Sequence, residues 1–340
     1  MSPQKRIPGV SYAVSPEGLE LPVIDVTHPA FELRLSDEEL SSRVAEAIRE
    51  LDRRERAPAF MQRLFLRFFL RDSILARGIA GSRGSYMGGM STYLLKLGPD
   101  NLDESYAKQI DRKIAASLPC LSARLRLQAT AELIAEELAG ALAAAPGRAL
   151  HLVNIAGGPA ADSLNALIIL RKRRPALFEG RRVVVQVLDR DDRGPAFGSR
   201  ALAALRQTGS PLHGVDAEFR YLPYDWSEPS ALARLLSTID RTEALVAGSS
   251  EGGLFEYGSD AQIVEALRDF RAATAPEASF TGSLSRTDGY ASRFNAAGGA
   301  AIRFRSPEAF AKLVRQAGWT IARTVECPLS LVVRLKKIRL

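Results

Sequence analysis

Sulfur and imidazole are scarce in this chain. Its 340 residues include two cysteines, Cys120 and Cys327, and three histidines, His28, His151 and His213. The cysteines stand more than two hundred positions apart, which excludes a disulfide framework, a zinc finger and an iron–sulfur ligand run. The histidines are just as scattered, so no His-based metal site is expected. Long apolar runs are missing too. The longest greasy segment, Leu164 to Leu170, stops at Arg171-Lys172-Arg173, and no membrane-spanning helix is expected. The start, Met-Ser-Pro-Gln-Lys-Arg, has no apolar run behind it, so no signal peptide is expected either. The expectation is a cytoplasmic protein with no membrane partner.

A core is certainly affordable: 46% of residues are hydrophobic and 25% charged, which excludes global disorder. The length suits one large α/β domain, or a standard domain with an extension. The net charge of +7 is dispersed: residues 1–120 carry 17 basic and 16 acidic side chains, the remainder 29 and 23. That spread leaves no footprint for nucleic acid. The tail Arg334-Leu-Lys336-Lys337-Ile-Arg339 reads as a solvated strand end.

Periodicity divides the chain. Residues 1–20 read as an irregular arm, and 21–34 as holding a short strand. From Ser36 the apolar positions Leu40, Val44, Ile48 and Leu51 recur at helical spacing, with Ser36 or Asp37 as N-cap. A second helix is expected over about 59–79, apolar on more than one face. The segment 81–93, GSRGSYMGGMSTY, carries four glycines and reads as a loop. Helices follow around Glu104–Ser117 and Ser122–Ala144. Residues 21–120 thus form a mainly helical cap. From residue 149 apolar strands (149–155, 181–189, 217–223, 243–249, 278–284) alternate with helices, the pattern of parallel βαβ units covered on both faces. A helix at 306–319 and two strands split by Pro328 close the chain.

Three features gather at one end of that expected sheet. The first strand runs into Ala156-Gly157-Gly158-Pro159 before a helix, and small residues there let backbone turn tightly and approach a ligand. A plain strand-to-helix turn is the bland alternative. The second strand ends at Asp189, where a carboxylate can accept ribose hydroxyls; Asp191 and Asp192 compete for that role, and a helix cap is the alternative. The third strand is followed by Tyr224-Asp225-Trp226. Asp225 is placed to accept an adenine amino group with Trp226 packing on the base, or else to cap the next helix.

This order of features resembles the class I S-adenosylmethionine-dependent methyltransferases of the small-molecule type, over about residues 115–340. The resemblance implies an α/β, Rossmann-like seven-stranded sheet of order 3-2-1-4-5-7-6 with its last strand antiparallel, a cofactor domain over 121–340, and S-adenosyl-L-methionine as cofactor. It places Ala156, Gly157 and Gly158 beside the methionine part, Asp189 on the ribose, and Asp225 with Trp226 on the adenine. Asn154 stands where the family has an acid, still able to hydrogen-bond, and Pro159 where it has a third glycine. Ser249, ending the fourth strand, joins the expected cofactor contacts. The following segment, 248–260, is the substrate side in this family. Its Glu251-Gly and nearby Tyr257 are loosely similar to carboxyl and small-molecule O-methyltransferases. The implied activity is methyl transfer to a small-molecule oxygen, hydroxyl or carboxylate.

Candidates for a catalytic role are Glu251, Tyr257 and Tyr86, with Glu256 and His213 as further candidate bases; His213, His151 and the two cysteines read more readily as surface or structural. The 81–93 loop is expected to close over substrate, with Arg83, Met87 and Tyr93 as contacts. Arg286, Tyr290 and Arg293, after the fifth strand, form a second polar cluster suited to a substrate carboxylate. No metal is expected, and a homodimer is compatible with this reading. The rival enzyme is an NAD(P)-type Rossmann oxidoreductase, and the non-enzymatic rival a binding protein on the same fold.

Overall fold

The computed structural model describes residues 6–56, 73–228 and 230–338. Most of the helix expected at 59–79 lies outside them; its C-terminal part is the helix Ile74–Gly81. The arm is more regular than expected. Strand β1 (Tyr12–Val14) pairs antiparallel with β2 (Glu20–Pro22), and Gly18, with φ of +80°, lets the hairpin turn. The strand expected within 21–34 is therefore the second leg of this hairpin.

The main sheet contains β3 (Ala149–Ile155), β4 (Arg182–Asp189), β5 (Asp216–Pro223), β6 (Ala244–Ser250), β7 (Ser279–Ser285), β8 (Trp319–Glu326) and β9 (Ser330–Lys337). Its spatial order is β5-β4-β3-β6-β7-β9-β8. Counted from β3 as the first strand, that is 3-2-1-4-5-7-6. β3 to β7 are parallel, and β9 runs antiparallel to both β7 and β8. The sheet order and the reversed last strand match the expectation.

Alternation along the strands sends side chains to two cores. Leu150 and Leu152 of β3 join one, with Leu127, Leu138, Leu167 and Phe197 from the covering helices. Val153 and Ile155 join the other, with Leu236, Leu267, Phe270 and Trp319. Full burial of such a side chain contributes about 1.5–3 kcal/mol. Trp319 is fully buried, and its indole N–H donates to Leu267 O at 2.9 Å, so its one polar group is paired.

The cap is tied to the sheet by packing and by backbone. Helix Asp37–Glu55 starts at Ser36 with a capping box: Ser36 accepts from Glu39 N–H and Glu39 accepts from Ser36 N–H. Helix Gly89–Lys96 begins within the expected 81–93 loop and runs past its end. Its Met90, Tyr93 and Leu94 are buried in the first core, and that burial overrides the poor helix propensity of a Gly-Gly start. Two further helices, Leu254–Tyr257 and Gly289–Gly298, lie in segments where no helix was expected. No described helix is long and apolar enough to cross a membrane.

Candidate active site

The strand tips of β3, β4 and β6 meet at a cleft closed from above by the cap. β3 hands over to helix Ala161–Arg173 through Ala156-Gly157-Gly158-Pro159-Ala160. Ala156, Gly158 and Ala160 all have positive φ, 55°, 52° and 54°. Among the described residues, Ala156 and Ala160 are the only non-glycines so placed. Left-handed backbone costs an L-residue roughly 1–2 kcal/mol, and such strain persists where the surroundings over-determine the turn.

Those surroundings are visible. A Cβ on Gly157 would fall 1.6 Å from Asn154 Oδ1, so only glycine fits above the asparagine. A Cβ on Gly89 would fall 2.7 Å from Gly158 Cα, as would one on Gly194. Three backbones from distant segments thus meet without side chains between them. The start of helix Gly89–Lys96 rests directly on the glycine turn.

The cleft is a concavity open to solvent at its mouth. Of the residues expected at the site, it brings together Ala156, Gly157, Gly158, Asp189, Trp226, Glu251, Tyr257, Tyr86, Met87 and Tyr93. Asp191 also lines it and Asp192 does not. Asp189 accepts from Gly158 N–H at 2.9 Å and Asp191 N–H at 3.1 Å. Burial nevertheless pushes its carboxyl above the usual range, against the pull of these backbone bonds. Asp189 so links the β4 tip to the glycine turn across the cleft.

Other expected residues stand elsewhere. Asp225 is absent from the cleft wall. Its Oδ1 accepts from Ser227 N–H at 2.9 Å and the Ser227 hydroxyl at 2.7 Å. These bonds, with Arg190 nearby, hold its carboxyl below the usual range. This is a local turn ahead of the helix Ser230–Ser237, neither a cap on that helix nor a position in the cleft wall. Asn154 and Ser249 are buried beneath the turn rather than in the cleft wall. Arg83 is exposed in a β-bridge with Ala300. Arg286 bonds Asp288, with Tyr290 alongside. Arg293 pairs with Asp52 and Glu55 of the N-terminal helix at 2.6 and 2.7 Å. These last three tie helix Gly289–Gly298 to its neighbours and do not line the cleft, which corrects their assignment as substrate contacts.

The floor of the cleft holds a buried ion network that sequence reading missed in part. Glu251 is flanked by Lys96 on one oxygen and by Arg126 Nε at 2.6 Å on the other. Arg126 Nη1 also donates to Glu256 at 3.1 Å. Lys96 and Glu251 are only 6% and 7% exposed. Burial raises the Glu251 carboxyl, but the two cations outweigh it and hold the group below the usual carboxylate range. Glu256 is pushed up, chiefly by burial. Tyr257 is pushed up to about 12 by burial and by Glu256. Lys96 follows an apolar run and Arg126 interrupts a largely apolar helix; those were the available signals.

The expected closing loop is pinned. Gly84 N–H donates to Gly299 O at 2.9 Å, and Ala301 N–H to Ser85 O at 3.0 Å. Tyr93 is buried, its hydroxyl donating to Pro22 O at 2.8 Å and accepting from Ile24 N–H at 3.0 Å. This is a wall more than a flap. His213 is exposed and His151 half-buried; neither lines the cleft. Both cysteines are free and buried. Among the described residues no group of His, Cys, Asp or Glu is arranged to hold a metal ion.

No protein-family model matches the sequence, and no curated protein matches it. Solved structures do resemble it. A protein of Bordetella parapertussis described as a possible exported protein has a TM-score of 0.58 at 18% identity, over 90% of this chain and 98% of that one. Magnesium protoporphyrin IX methyltransferase from Synechocystis, with bound SAM, has a TM-score of 0.40 at 12% identity, over 64% of this chain and 83% of that one. N,N-8-amino-8-demethyl-D-riboflavin dimethyltransferase from Streptomyces davawensis has a TM-score of 0.39 at 17% identity, over 68% and 60%. The strand order and the antiparallel last strand give this chain the class I methyltransferase fold.

Proposed function

We propose that this protein binds S-adenosyl-L-methionine across the tips of β3 and β4 and transfers its methyl group to an oxygen of a small molecule. The observation that carries the reading is the placement of Asp189. Its half-buried carboxylate shares one cleft with the side-chain-free turn Gly157-Gly158, the pairing that a ribose joined to a compact polar chain requires. The residues present fit that cofactor. Asp189 supplies acceptors for hydroxyl donors, Gly157 and Gly158 let the ligand lie against backbone, and Tyr224 and Trp226 offer apolar surface. When bound, the cofactor supplies an electrophilic methyl on a sulfonium.

The remaining work is positioning and exclusion of water. Met87, Tyr93 and Tyr257 line the same cleft as Glu251. In this reading Glu251 orients Lys96 rather than taking a proton, because both of its oxygens are engaged. Tyr257, with its high pKa, donates a hydrogen bond to the acceptor and is no base. An acceptor that arrives ionised, such as a carboxylate, needs no base from the protein, and its negative charge is favoured beside Lys96. The proposal includes a cytoplasmic setting, and no nucleic acid or membrane as partner.

The oxidoreductase alternative is disfavoured by the sheet. The dinucleotide fold has the strand order 3-2-1-4-5-6, without the antiparallel hairpin seen here. The test is transfer of labelled methyl from S-adenosylmethionine to a panel of small carboxylates, phenols and amines. Labelled ester or ether supports the proposal. Cofactor binding with no turnover on any acceptor would favour the binding-protein reading, and labelled amine alone would contradict transfer to oxygen.

A further inference from the structure

At the cleft mouth, Arg190 occupies an unusual position. It directly follows Asp189 in the chain, and its guanidinium carbon lies 5.7 Å from the centroid of the Tyr86 ring. Its Nε faces Asp225 Oδ2 at 3.3 Å. Tyr86, Arg190, Tyr224, Trp226 and Asp189 all line the same cleft. Tyr86 is 39% exposed and one of four large apolar side chains left that open among the described residues. The backbone beside it is held by the bonds of Gly84 and Ser85 to Gly299 and Ala301, so the ring is offered from a fixed support.

A planar guanidinium over an aromatic ring is a stable pairing. The other planar species that stacks well on such a ring is a nucleobase. A ribose held on Asp189 carries its base away from the glycine turn, toward the side where Tyr86, Tyr224 and Trp226 stand. We infer that Tyr86 is the stacking platform for the adenine ring of the cofactor, and that Arg190 competes for the same ring. Binding exchanges one planar partner of Tyr86 for another, while Arg190 keeps its ion pair with Asp225. Asp225 therefore serves the adenine end indirectly, by holding the displaced arginine, and Tyr86 takes a binding role in place of a catalytic one. The inference rests on the proposed cofactor.

The test is calorimetric titration of wild type, Tyr86→Ala, Tyr86→Phe and Arg190→Ala with S-adenosylhomocysteine and with adenosine. Tyr86→Ala is expected to weaken both ligands by roughly tenfold, the scale of one base–aromatic stack, and Tyr86→Phe to stay within about twofold of wild type because the ring face is kept. Arg190→Ala is expected to bind about two- to fivefold tighter, since an exposed cation–π contact no longer competes. Thermal unfolding of each variant confirms that it is folded. Unchanged affinity in Tyr86→Ala overturns the platform. Weaker binding in Arg190→Ala overturns the exchange and makes that arginine a ligand contact. A folded wild type that binds neither ligand overturns the cofactor reading itself, a result distinct from both.

Discussion

Asp189 is the residue on which the cofactor reading turns. Asp189→Ala is expected to weaken S-adenosylhomocysteine by about 1–3 kcal/mol, the cost of leaving buried hydroxyls unpaired, while Asp225→Asn costs less because Asp225 lies outside the cleft wall with its Oδ1 held by Ser227. Calorimetry on the two variants checks the order; equal affinity in Asp189→Ala and wild type contradicts it. Asp189 was legible in the sequence because it ends an apolar strand. The polar cluster below the turn was not. Asn154 donates to Asp162 Oδ1 at 2.6 Å, and Asn154 and Ser249 are neighbours across β3 and β6. Three buried oxygens here, Asn154 Oδ1, Asp162 Oδ2 and Ser249 Oγ, lack hydrogen-bond partners. Ser249 Oγ carries its own proton, so turning that hydroxyl toward Asp162 supplies a donor, whose effect is to lower that carboxyl. Burial, then the charge of Glu251, push the Asp162 carboxyl above its usual range, against the pull of Lys96; Arg126 lies beyond Glu251 in the same network. A carboxyl raised on folding contributes stability below its unfolded pKa and loses it as pH rises through the folded pKa. Asp162→Asn supplies an amide donor and cannot ionise. Its stability relative to wild type is therefore expected to grow as pH rises above about 3.9, the ordinary aspartate value, in urea denaturation. A parallel pH dependence in the two proteins would show that Asp162 does not carry this linkage.

Elements with one strong local signal were readable from the chain. The helix Asp37–Glu55 announced itself by Ser36 and Glu39, and β4 by its run of valines. Helix Gly89–Lys96 was not readable, since its reason for existing lies in other segments: Gly158 and Gly194 against its start, and the first core around Tyr93. The same holds for Lys96 and Arg126, whose partner Glu251 lies 155 and 125 positions away. The element-scale prediction concerns the cap. Hydrogen exchange is expected to be slow across 90–96 in the free protein, and faster at 86–88, where the backbone bonds to 299–301 end. Tyr93→Phe should cost about 1–3 kcal/mol, because the buried Ile24 N–H and Pro22 carbonyl lose their partner. Rapid exchange across 90–96, or an unchanged stability in Tyr93→Phe, would restore the picture of a mobile lid.

At the scale of the whole molecule, the sheet order decides which cofactor class is reasonable. Parallel strands put their tips on one edge, and the neighbouring ends of β3, β4 and β6 bring the glycine turn, Asp189 and Glu251 to one cleft. The cap then supplies Tyr86, Met87, Tyr93 and Lys96 from above. Alternating strands and helices made this architecture legible, and the antiparallel hairpin of β8 and β9 separates it from a dinucleotide sheet. What remained hidden was the tertiary meeting of cap and sheet, because no periodicity encodes it. The net charge of +7 is spread over the surface, so association with small ligands is set by the cleft and not by a long-range field. The most direct measurement is isothermal calorimetry of the 340-residue chain with S-adenosylmethionine, S-adenosylhomocysteine and NAD in parallel. The account predicts saturable one-site binding of the two adenosyl ligands, with affinities in roughly the micromolar range, about −8 kcal/mol, and no heat with NAD. Binding of NAD without either adenosyl ligand would contradict it.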